Sequence, residues 1–438
     1  MRPALWPLHI STFRRLTLVR LVDELGDWLG EVALAVLVYD RTGSPMATAA
    51  LFLAMQFVPA LTTPPLVARL EAFPSRISLT ALNVVQAAVF AVLALLSVHF
   101  WLPAIIVLAA VGGGLAISGR AISRAAAAAV VTPHGMLREG NALLNIGFTA
   151  GAAAGPAVAG LVVAGAGPRT ALFADAVSFG LVAILLATTS GLPDVRGHVA
   201  SWLARLGEGL AYVKERPQLR LLLAAQTVAV VFFMIVIPIE VVFAKRTLDA
   251  GDAGYGYLLA SWGAGMLAGS FIFAALRRVS LRWLLPISTL AIGGAYLLIG
   301  AAPTLAFACI VSAVGGAGNG VQWVGVMTAV QQLTRLEYQA RVVSLLESLA
   351  KAAPALGFVI GGAAAALFNP RVSYVLAGTG VLVVLVIASV ALARAGWRGE
   401  PTEEARFLEE GGFARTASAQ PSGGADSEDV EPLGPARN

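Results

Sequence analysis

The amino-acid sequence predicts an all-α integral membrane protein, in which twelve transmembrane helices form two pseudo-symmetric six-helix bundles. Of its 438 residues, 58% are hydrophobic and 13% are charged, whereas a soluble domain carries about 25% charged residues. Apolar runs of about 20 residues, the length of helix that crosses a hydrocarbon core about 30 Å thick, recur along the whole chain. The basic residues lie between these runs, which indicates contact with anionic lipid headgroups and not with nucleic acid.

The predicted spans follow one another with short connections. They lie at 16–39, 46–68, 77–98, 102–122, 141–165, 170–190, 218–243, 254–276, 283–301, 304–330, 342–367 and 372–393. The first span is long and interrupted by acids, without a small-residue cleavage site after a short apolar segment. We therefore interpret it as a retained span and not as a signal peptide.

The Lys and Arg residues of the connecting segments predict the orientation. The outer segments hold five, Arg41, Arg169, Lys245, Arg246 and Arg371. The inner segments hold seventeen, Arg2, Arg14, Arg15, Arg69, Arg76, Arg124, Arg138, Arg196, Arg205, Lys214, Arg216, Arg220, Arg277, Arg278, Arg282, Arg335 and Arg341. Because positive residues favour the cytoplasmic side, both termini are expected to be cytoplasmic.

Four regions follow from this pattern. An N-terminal bundle occupies 1–190 and a C-terminal bundle occupies 218–394. The linker at 191–217 contains SWLARLGEGLAYVKERP, which favours an amphipathic helix on the inner membrane surface. Residues 395–438 are rich in Pro, Gly, Ser and Glu, which predicts a disordered cytoplasmic tail.

Two weak repeats relate the bundles. Pro156 recurs 198 residues later as Pro354, and Arg76-Ile-Ser-Leu recurs 202 residues later as Arg278-Val-Ser-Leu. Duplicated membrane units of this kind place a substrate site between the two copies near the midplane, where rocking gives alternating access.

Acidic residues mark the first span as the leading candidate site. Asp23, Asp27 and Glu31 are spaced four apart, so they share one helical face with about 6 Å between neighbours. An ionised acid at the bilayer centre costs about 2.5–3.5 kcal/mol on insertion scales, and neighbouring carboxylates disfavour joint ionisation. These acids therefore indicate a proton relay in a water-accessible cavity. Alternatively, Arg20 neutralises Asp23 or Glu24 and the remaining acids are structural.

Other polar residues in the spans carry two interpretations each. Arg120 either pairs with an acid or extends to the interface, and Asp175 serves either helix packing or the site. Glu240 is expected to take part in gating or to be solvated, and Glu347 and Lys351 are expected to form an intrahelical ion pair. Four further side chains face a substrate cavity or pack between helices: Gln226, Asn319, Gln322 and Trp323.

Small residues characterise the fifth span. Gly147, Gly151 and Gly155 form a ladder that ends at Pro156. Such a ladder allows close helix packing, and a smooth glycine face beside a proline also allows helices to slide during rocking.

An ordered series of motifs resembles the major facilitator superfamily, and within it the bacterial drug-efflux branch of macrolide and enterobactin exporters. The motifs are FRRLTLVRLVDELGDWLGEVALAVLVYDRTGS (13–44), LREGNALLN (137–145), GAAAGPAVAG (151–160), ALFADAVSFG (171–180) and GLAYVKERPQLRLLL (209–223). The resemblance covers roughly residues 10–395 and implies the major facilitator fold, a monomer, and export of small molecules by proton antiport, with multidrug resistance as the outcome.

The resemblance also implies gating residues. Pro156 and Gly160 match the antiporter motif of span 5, although Ala159 replaces one expected glycine, and Gly26 with Asp27 matches the pair of span 1. Arg341 matches the arginine after span 10.

The loop after span 2, PPLVARLEAFPSRISL (64–79), departs from the family pattern. Ala68 and Ala72 stand where Gly and Asp are expected, and only Arg76 clearly matches the family pattern. Glu71, one position away, is the candidate substitute.

Three functions follow as hypotheses. The first is a proton-coupled exporter of amphipathic small molecules, the second is an uptake carrier or uniporter on the same fold, and the third is a non-transporting partner or sensor. An enzyme is not expected, because the four histidines are scattered over chain ends and loops and no phosphate-binding Gly-rich loop is present. Cys309 is alone, so neither a disulfide nor a cysteine-based metal site is expected, and no cofactor is implied.

Overall fold

The computed structural model describes residues 6–70, 72–194, 202–276 and 279–397, and within them the chain is helical, without a β-strand. The helices are α1 (Ser11–Thr42), α2 (Pro45–Leu70), α3 (Ser75–Leu96), α4 (Leu102–Val131), α5 (Leu137–Ala187), α6 (Trp202–Lys214), α7 (Pro217–Phe233), α8 (Glu240–Val242), α9 (Gly251–Ala275), α10 (Leu281–Gly300), α11 (Leu305–Gln332), α12 (Leu336–Ala352), α13 (Pro354–Leu367) and α14 (Pro370–Arg394). The predicted all-α membrane fold is confirmed. Most of the predicted tail, from residue 398 onward, lies outside the described residues.

Ten helical segments of the described chain are long and apolar enough to cross a membrane. The first helix, α1, is 32 residues long, but it is not one of these ten segments because it carries too many charged residues. Counting α1 and dividing α5 into two arms gives the predicted number of twelve spans. Both the count of twelve and the division into bundles at 1–190 and 218–394 stay predictions.

In three places the predicted spans and the helices of the structure do not correspond one to one. The fifth and sixth spans both lie within α5, as two helical arms that are separated by a non-helical residue, Gly167 (φ 81°, ψ 163°). That positive φ favours glycine, and Pro168 begins the second arm. The seventh predicted span, 218–243, is divided in the structure among α7, the 3-10 turn Ile237–Ile239, α8 and the π-helix Phe243–Thr247. The eleventh span is divided between α12 and α13 at Pro354, because a proline cannot donate the backbone hydrogen bond of a helix interior.

Local capping explains the short connections. Gly43 ends α1 in the left-handed region (φ 60°), where a glycine carries no steric penalty. Thr304 accepts from the backbone N–H of Phe307 at the start of α11, and Asn369 accepts from that of Val372 at the start of α14. These side chains satisfy backbone donors that the first helical turn leaves free.

The helices pack as an N-terminal set (α1–α5) and a C-terminal set (α7–α14). In the N-terminal set α5 packs against α1 and α3, and α2 against α4; in the C-terminal set α11 packs against α9 and α10, and α14 against α7 and α10. The two sets meet where α5 packs against α9 and where α2 packs against α13.

The apolar core is shared at one end of the molecule and divided at the other. We call the end where α1 finishes the outer end, and the end where α1 begins the inner end. At the outer end, one cluster combines residues of both sets, such as Val36, Phe52, Phe243 and Phe358. At the inner end, one cluster belongs to the N-terminal helices and another to the C-terminal helices with α6. The two sets are therefore joined most firmly at the outer end.

The helix predicted within the linker is present as α6, and it docks on α12. Tyr212 and Tyr338 stack with ring centroids 4.3 Å apart, and the Tyr212 hydroxyl accepts from the backbone N–H of Arg335 at 3.0 Å. The linker thus has a protein partner at the inner end.

Candidate functional site

The acids of α1 have different partners. Asp27 Oδ2 lies 2.5 Å from Nη1 of Arg120 on α4, and 22% of the Asp27 side chain and 37% of the Arg120 side chain are exposed. Arg20 pairs with Glu24, one of the two acids that the sequence offered to it, at 2.8 Å. One carboxylate oxygen of Asp23, Oδ1, is buried with no hydrogen-bond partner among the described residues.

A small polar cavity surrounds the Asp27–Arg120 pair. Its volume is about 10 Å³, enough for about one water molecule. The polar side chains that line it are Asp23, Asp27, Asn83, Gln86, Arg120 and Ser123. All lining residues belong to α1, α3, α4 and α5. In this conformation, therefore, Asp23 and Asp27 line a cavity whose walls belong to the N-terminal set.

Glu31 lies one turn nearer the outer end and takes part in none of the ion pairs found between described residues. The helix that carries it, α1, contacts α8 of the C-terminal set. The carboxyl of Glu31 acts electrostatically on Glu240, the first residue of α8. Glu240 is 6% exposed, so the expectation that it is solvated is wrong.

Asp175 packs against the same stretch of α1. Its side chain is fully buried, and a Cβ on Gly26 or Gly30 would lie 2.4 Å and 2.6 Å, respectively, from its carboxylate oxygens. Ser178 donates to Oδ1 at 3.2 Å, while Oδ2 has no hydrogen-bond partner in the described chain. Asp175 therefore combines the packing and site interpretations. It fits against Gly26 and Gly30, and it adds a further acid beside the row of acids on α1 (Asp23, Asp27 and Glu31), which we call the α1 stripe.

The predicted cavity residues of the C-terminal set do not line the small cavity beside Asp27. Gln226 of α7 and Gln322 of α11 line a mainly apolar cavity of about 320 Å³ between α7, α10, α11 and α14. The amide of Gln322 donates to Thr289 Oγ1 at 3.0 Å. Trp323 does not line this cavity, and its side chain is 37% exposed. The acids of α1 and these amides therefore do not share one cavity in this conformation.

The glycines of α5 allow close contacts on two sides. A Cβ on Gly155 would lie 2.4 Å from Cδ1 of Trp28, and one on Gly160 would lie 2.5 Å from Cα of Gly256. A Cβ on Gly256 would in turn lie 2.9 Å from the carbonyl oxygen of Pro156. The Gly-Pro segment therefore forms the contact between α5 and α9, where the two helix sets meet.

The predicted gating loop after α2 has a partner that the sequence did not indicate. The backbone N–H of Ser75 donates to Oδ1 of Asp194 at 3.2 Å, so an acid beyond α5 holds the loop that lacks its own aspartate. Arg76 is exposed, and Glu71 lies outside the described residues.

Arg341 lies on α12 at the inner end, where its Nε is 2.9 Å from Oε2 of Glu208 on α6. Its guanidinium also lies 5.1 Å from the ring centroid of Tyr338. The structure thus places Arg341 between α12 and the linker helix.

An ion-pair cluster at the outer end was also not predicted. Lys245, in the π-helix Phe243–Thr247, donates to Asp40 near the end of α1 and to Asp252 of α9. Because Asp40 belongs to the N-terminal set, Lys245 connects the two sets at the end where they share a core.

Comparisons with known proteins agree with this architecture. A family model described as transmembrane secretion effector matches residues 3–404. The multidrug efflux pump Tap of Mycolicibacterium fortuitum is 29% identical over 238 residues, which cover 52% of this chain and 56% of that protein. Tap of Mycobacterium tuberculosis is 28% identical over 228 residues, 50% of this chain and 53% of that protein. The chain thus spans about half the length of the curated relatives it matches.

Solved structures show the same fold. The nucleoside transporter NupG superposes with a TM-score of 0.71 at 10% identity, covering 87% of this chain and 99% of that one. A bacterial homologue of the human lysosomal transporter Spinster, in an inward-facing and occupied conformation, superposes with a TM-score of 0.66 at 15% identity, covering 90% and 98%.

Proposed function

Because the chain belongs to the transmembrane secretion effector family, within the drug-efflux transporters of the major facilitator superfamily, we propose that it exports small amphipathic molecules across the plasma membrane by proton antiport. Both termini would lie in the cytoplasm, and the protein would act as a monomer. Neutral or cationic lipophilic molecules are the proposed substrates, since the spans are apolar and α1 carries an acidic face.

The Asp27–Arg120 ion pair carries this proposal. It lies at membrane depth and is only partly exposed. Ion pairs of buried groups stay stable only while both partners keep their charge. A proton that binds Asp27 therefore removes the partner of Arg120, and the resulting rearrangement of α1 against α4 can be linked to movement of the N-terminal helices. Asp23 and the polar lining of the small cavity supply a path for that proton.

The distribution of packing supports alternating access. The two helix sets share a core at the outer end and have separate cores at the inner end. Lys245 adds an ion-pair connection at the outer end. The conformation is therefore closed at the end predicted to face outward, and a rocking motion about the α5–α9 and α2–α13 contacts would expose that end.

The test measures pH-gradient-driven movement of lipophilic cationic dyes, beginning with ethidium, in liposomes that contain the purified protein. Asp27→Asn should lower the driven rate by about tenfold or more, equivalent to about 1.4 kcal/mol. The matched control is Asp249→Asn, which removes one acid from an exposed turn at φ 50°, a conformation that asparagine tolerates.

Each alternative has its own result. Driven movement that is equal in wild type and Asp27→Asn contradicts proton coupling through Asp27. Dye counterflow that persists in the wild type without a pH gradient favours the uniporter or uptake carrier. If no dye or antibiotic of the panel is moved by, or stabilises, the wild-type protein, the non-transporting partner or sensor is the better hypothesis.

A further inference from the structure

Glu240 is a buried carboxyl that the proposed antiport mechanism does not use. It is 6% exposed, and its Oε2 has no hydrogen-bond partner among the described residues. The residue begins the three-residue helix α8, between the 3-10 turn Ile237–Ile239 and the π-helix Phe243–Thr247. Irregular helical backbone at membrane depth occurs where it is buried in protein or lines a passage, and π-helical turns are frequent at functional sites.

Three buried tyrosines on three different helices lie within electrostatic range of Glu240. Each is at most 2% exposed and interacts electrostatically with Glu240: Tyr255 of α9, Tyr296 of α10 and Tyr374 of α14. The rings of Tyr296 and Tyr374 lie 6.1 Å apart, centroid to centroid, and the Tyr296 hydroxyl donates to the carbonyl oxygen of Phe233. The surroundings of the carboxyl thus include these three tyrosines, which form an aromatic enclosure.

Among the described residues, the charged side chain that acts electrostatically on Glu240 is another acid, Glu31 of α1. The nearest basic residue along the chain, Lys245, is engaged by Asp40 and Asp252 at the outer end. An unpaired carboxylate in an apolar environment is unfavourable, and the negative charge of a second acid disfavours its ionisation further. The arrangement therefore suits a neutral carboxylic acid at position 240.

We propose that Glu240 is a second proton-binding site, which holds a proton in this conformation and exchanges it with water when α1 and α8 separate. The outer end lies only about one turn away, at Lys245, so opening of that end would bring water to Glu240 first. The proton would then enter from the outer side, be enclosed as the two helix sets close, and lie next to Glu31 at the start of the α1 stripe. The role of this proton in transport rests on the proposed antiport, but its binding to Glu240 does not.

Infrared spectroscopy of the purified protein in nanodiscs tests the binding directly, because protonated carboxylic acids absorb in a carbonyl region that carboxylates and amides do not share. At neutral pH, Glu240→Gln should remove one protonated-carboxyl absorption per molecule. Glu215→Gln, at an exposed position next to α6, is the matched control and should leave the spectrum unchanged. Glu240→Asp keeps an acid in the enclosure and should shift the absorption without removing it, and it serves if Glu240→Gln does not fold.

Transport of ethidium in the same preparations separates the two proposals. Loss of the absorption together with about a tenfold or greater fall in pH-driven movement supports both. Loss of the absorption in a protein whose wild type shows no pH-driven movement supports the proton site and contradicts antiport. Spectra that are the same for wild type, Glu240→Gln and Glu240→Asp show that the carboxyl is ionised and overturn the proton site, even if antiport is present.

Discussion

The contact between Gly160 and Gly256 should control which end of the protein is open. A Cβ on Gly160 would lie 2.5 Å from Cα of Gly256 and 3.0 Å from its nitrogen. Ordinary carbon–carbon contacts are about 3.5–4.0 Å, so Gly160→Ala requires α5 and α9 to separate by about 1 Å. Both obstructing atoms belong to the backbone, so no side-chain rotation can relieve the overlap.

The energetic effect follows from that overlap. Adding a methyl group to a closely packed contact costs about 1–3 kcal/mol. If the outer-closed conformation bears this cost and the outer-open conformation does not, the population ratio changes by about 5–150-fold in favour of the open form. The expected result of Gly160→Ala is therefore a protein that is open at the outer end more often, with slower turnover.

Distances between spin labels at the outer end measure this shift. Cysteines at Arg169, just beyond the turn of α5, and at Pro303, between α10 and α11, place one label on each helix set. A Cys309→Ser background removes the native thiol. Gly165→Ala is the control, because a Cβ there meets no atom within 4 Å. The reasoning is refuted if Gly160→Ala leaves the distance distribution unchanged, or if Gly165→Ala changes it equally.

Two further substitutions test contacts at opposite ends. Lys245→Met removes the cation between two carboxylates and should increase outer-end opening in the same distance measurement, more at low salt than at high salt; Arg246→Met, a neighbouring exposed position, should have little effect, and equal shifts would contradict the connection. Asp194→Ala removes the acceptor of the Ser75 backbone N–H, at about 0.5–1.5 kcal/mol. It should accelerate amide exchange at Ser75, whereas Asp249→Ala should not, and unchanged exchange would show that the bond does not hold the loop.

The sequence predicted the helices better than their partners. Hydropathy located the spans because a helix in lipid forms its backbone hydrogen bonds within itself, whatever its neighbours are. The turn within α5 was also predictable as a gap between spans, since Gly167 and Pro168 interrupt the apolar pattern there.

The sequence did not specify which charged groups form ion pairs. Helical spacing placed Asp23, Asp27 and Glu31 on one face, but Arg120 is 93 residues from Asp27, and only packing of α4 against α1 brings them together. The sequence therefore allows two positions for Arg120, in an ion pair or at the membrane interface. The same limit applies to Glu240, whose burial depends on three helices that follow it in the chain.

The cavity residues show the limit most clearly. Gln226, Gln322 and Asp27 are all polar residues within apolar spans, and the sequence offered each as a candidate cavity residue, with helix packing as the alternative for the two amides. The structure places the amides among the C-terminal helices and the acid among the N-terminal helices. Which side of a helix faces a neighbour, a cavity or lipid is a property of tertiary packing, and an α-helix that is apolar on most sides gives little indication of it.

If the two helix sets rock as proposed, the unequal division of the apolar core gives that motion a thermal signature. Opening the outer end must separate residues such as Phe52 and Phe358, whose rings lie 6.0 Å apart, and admit water between them, whereas the two inner-end cores can move apart intact. Hydration of newly exposed apolar surface raises the heat capacity, and the attraction between such surfaces weakens on cooling. The balance between the two access states should therefore follow a curved van't Hoff plot, and chilled membranes should hold a larger share of the outward-open form than warm ones.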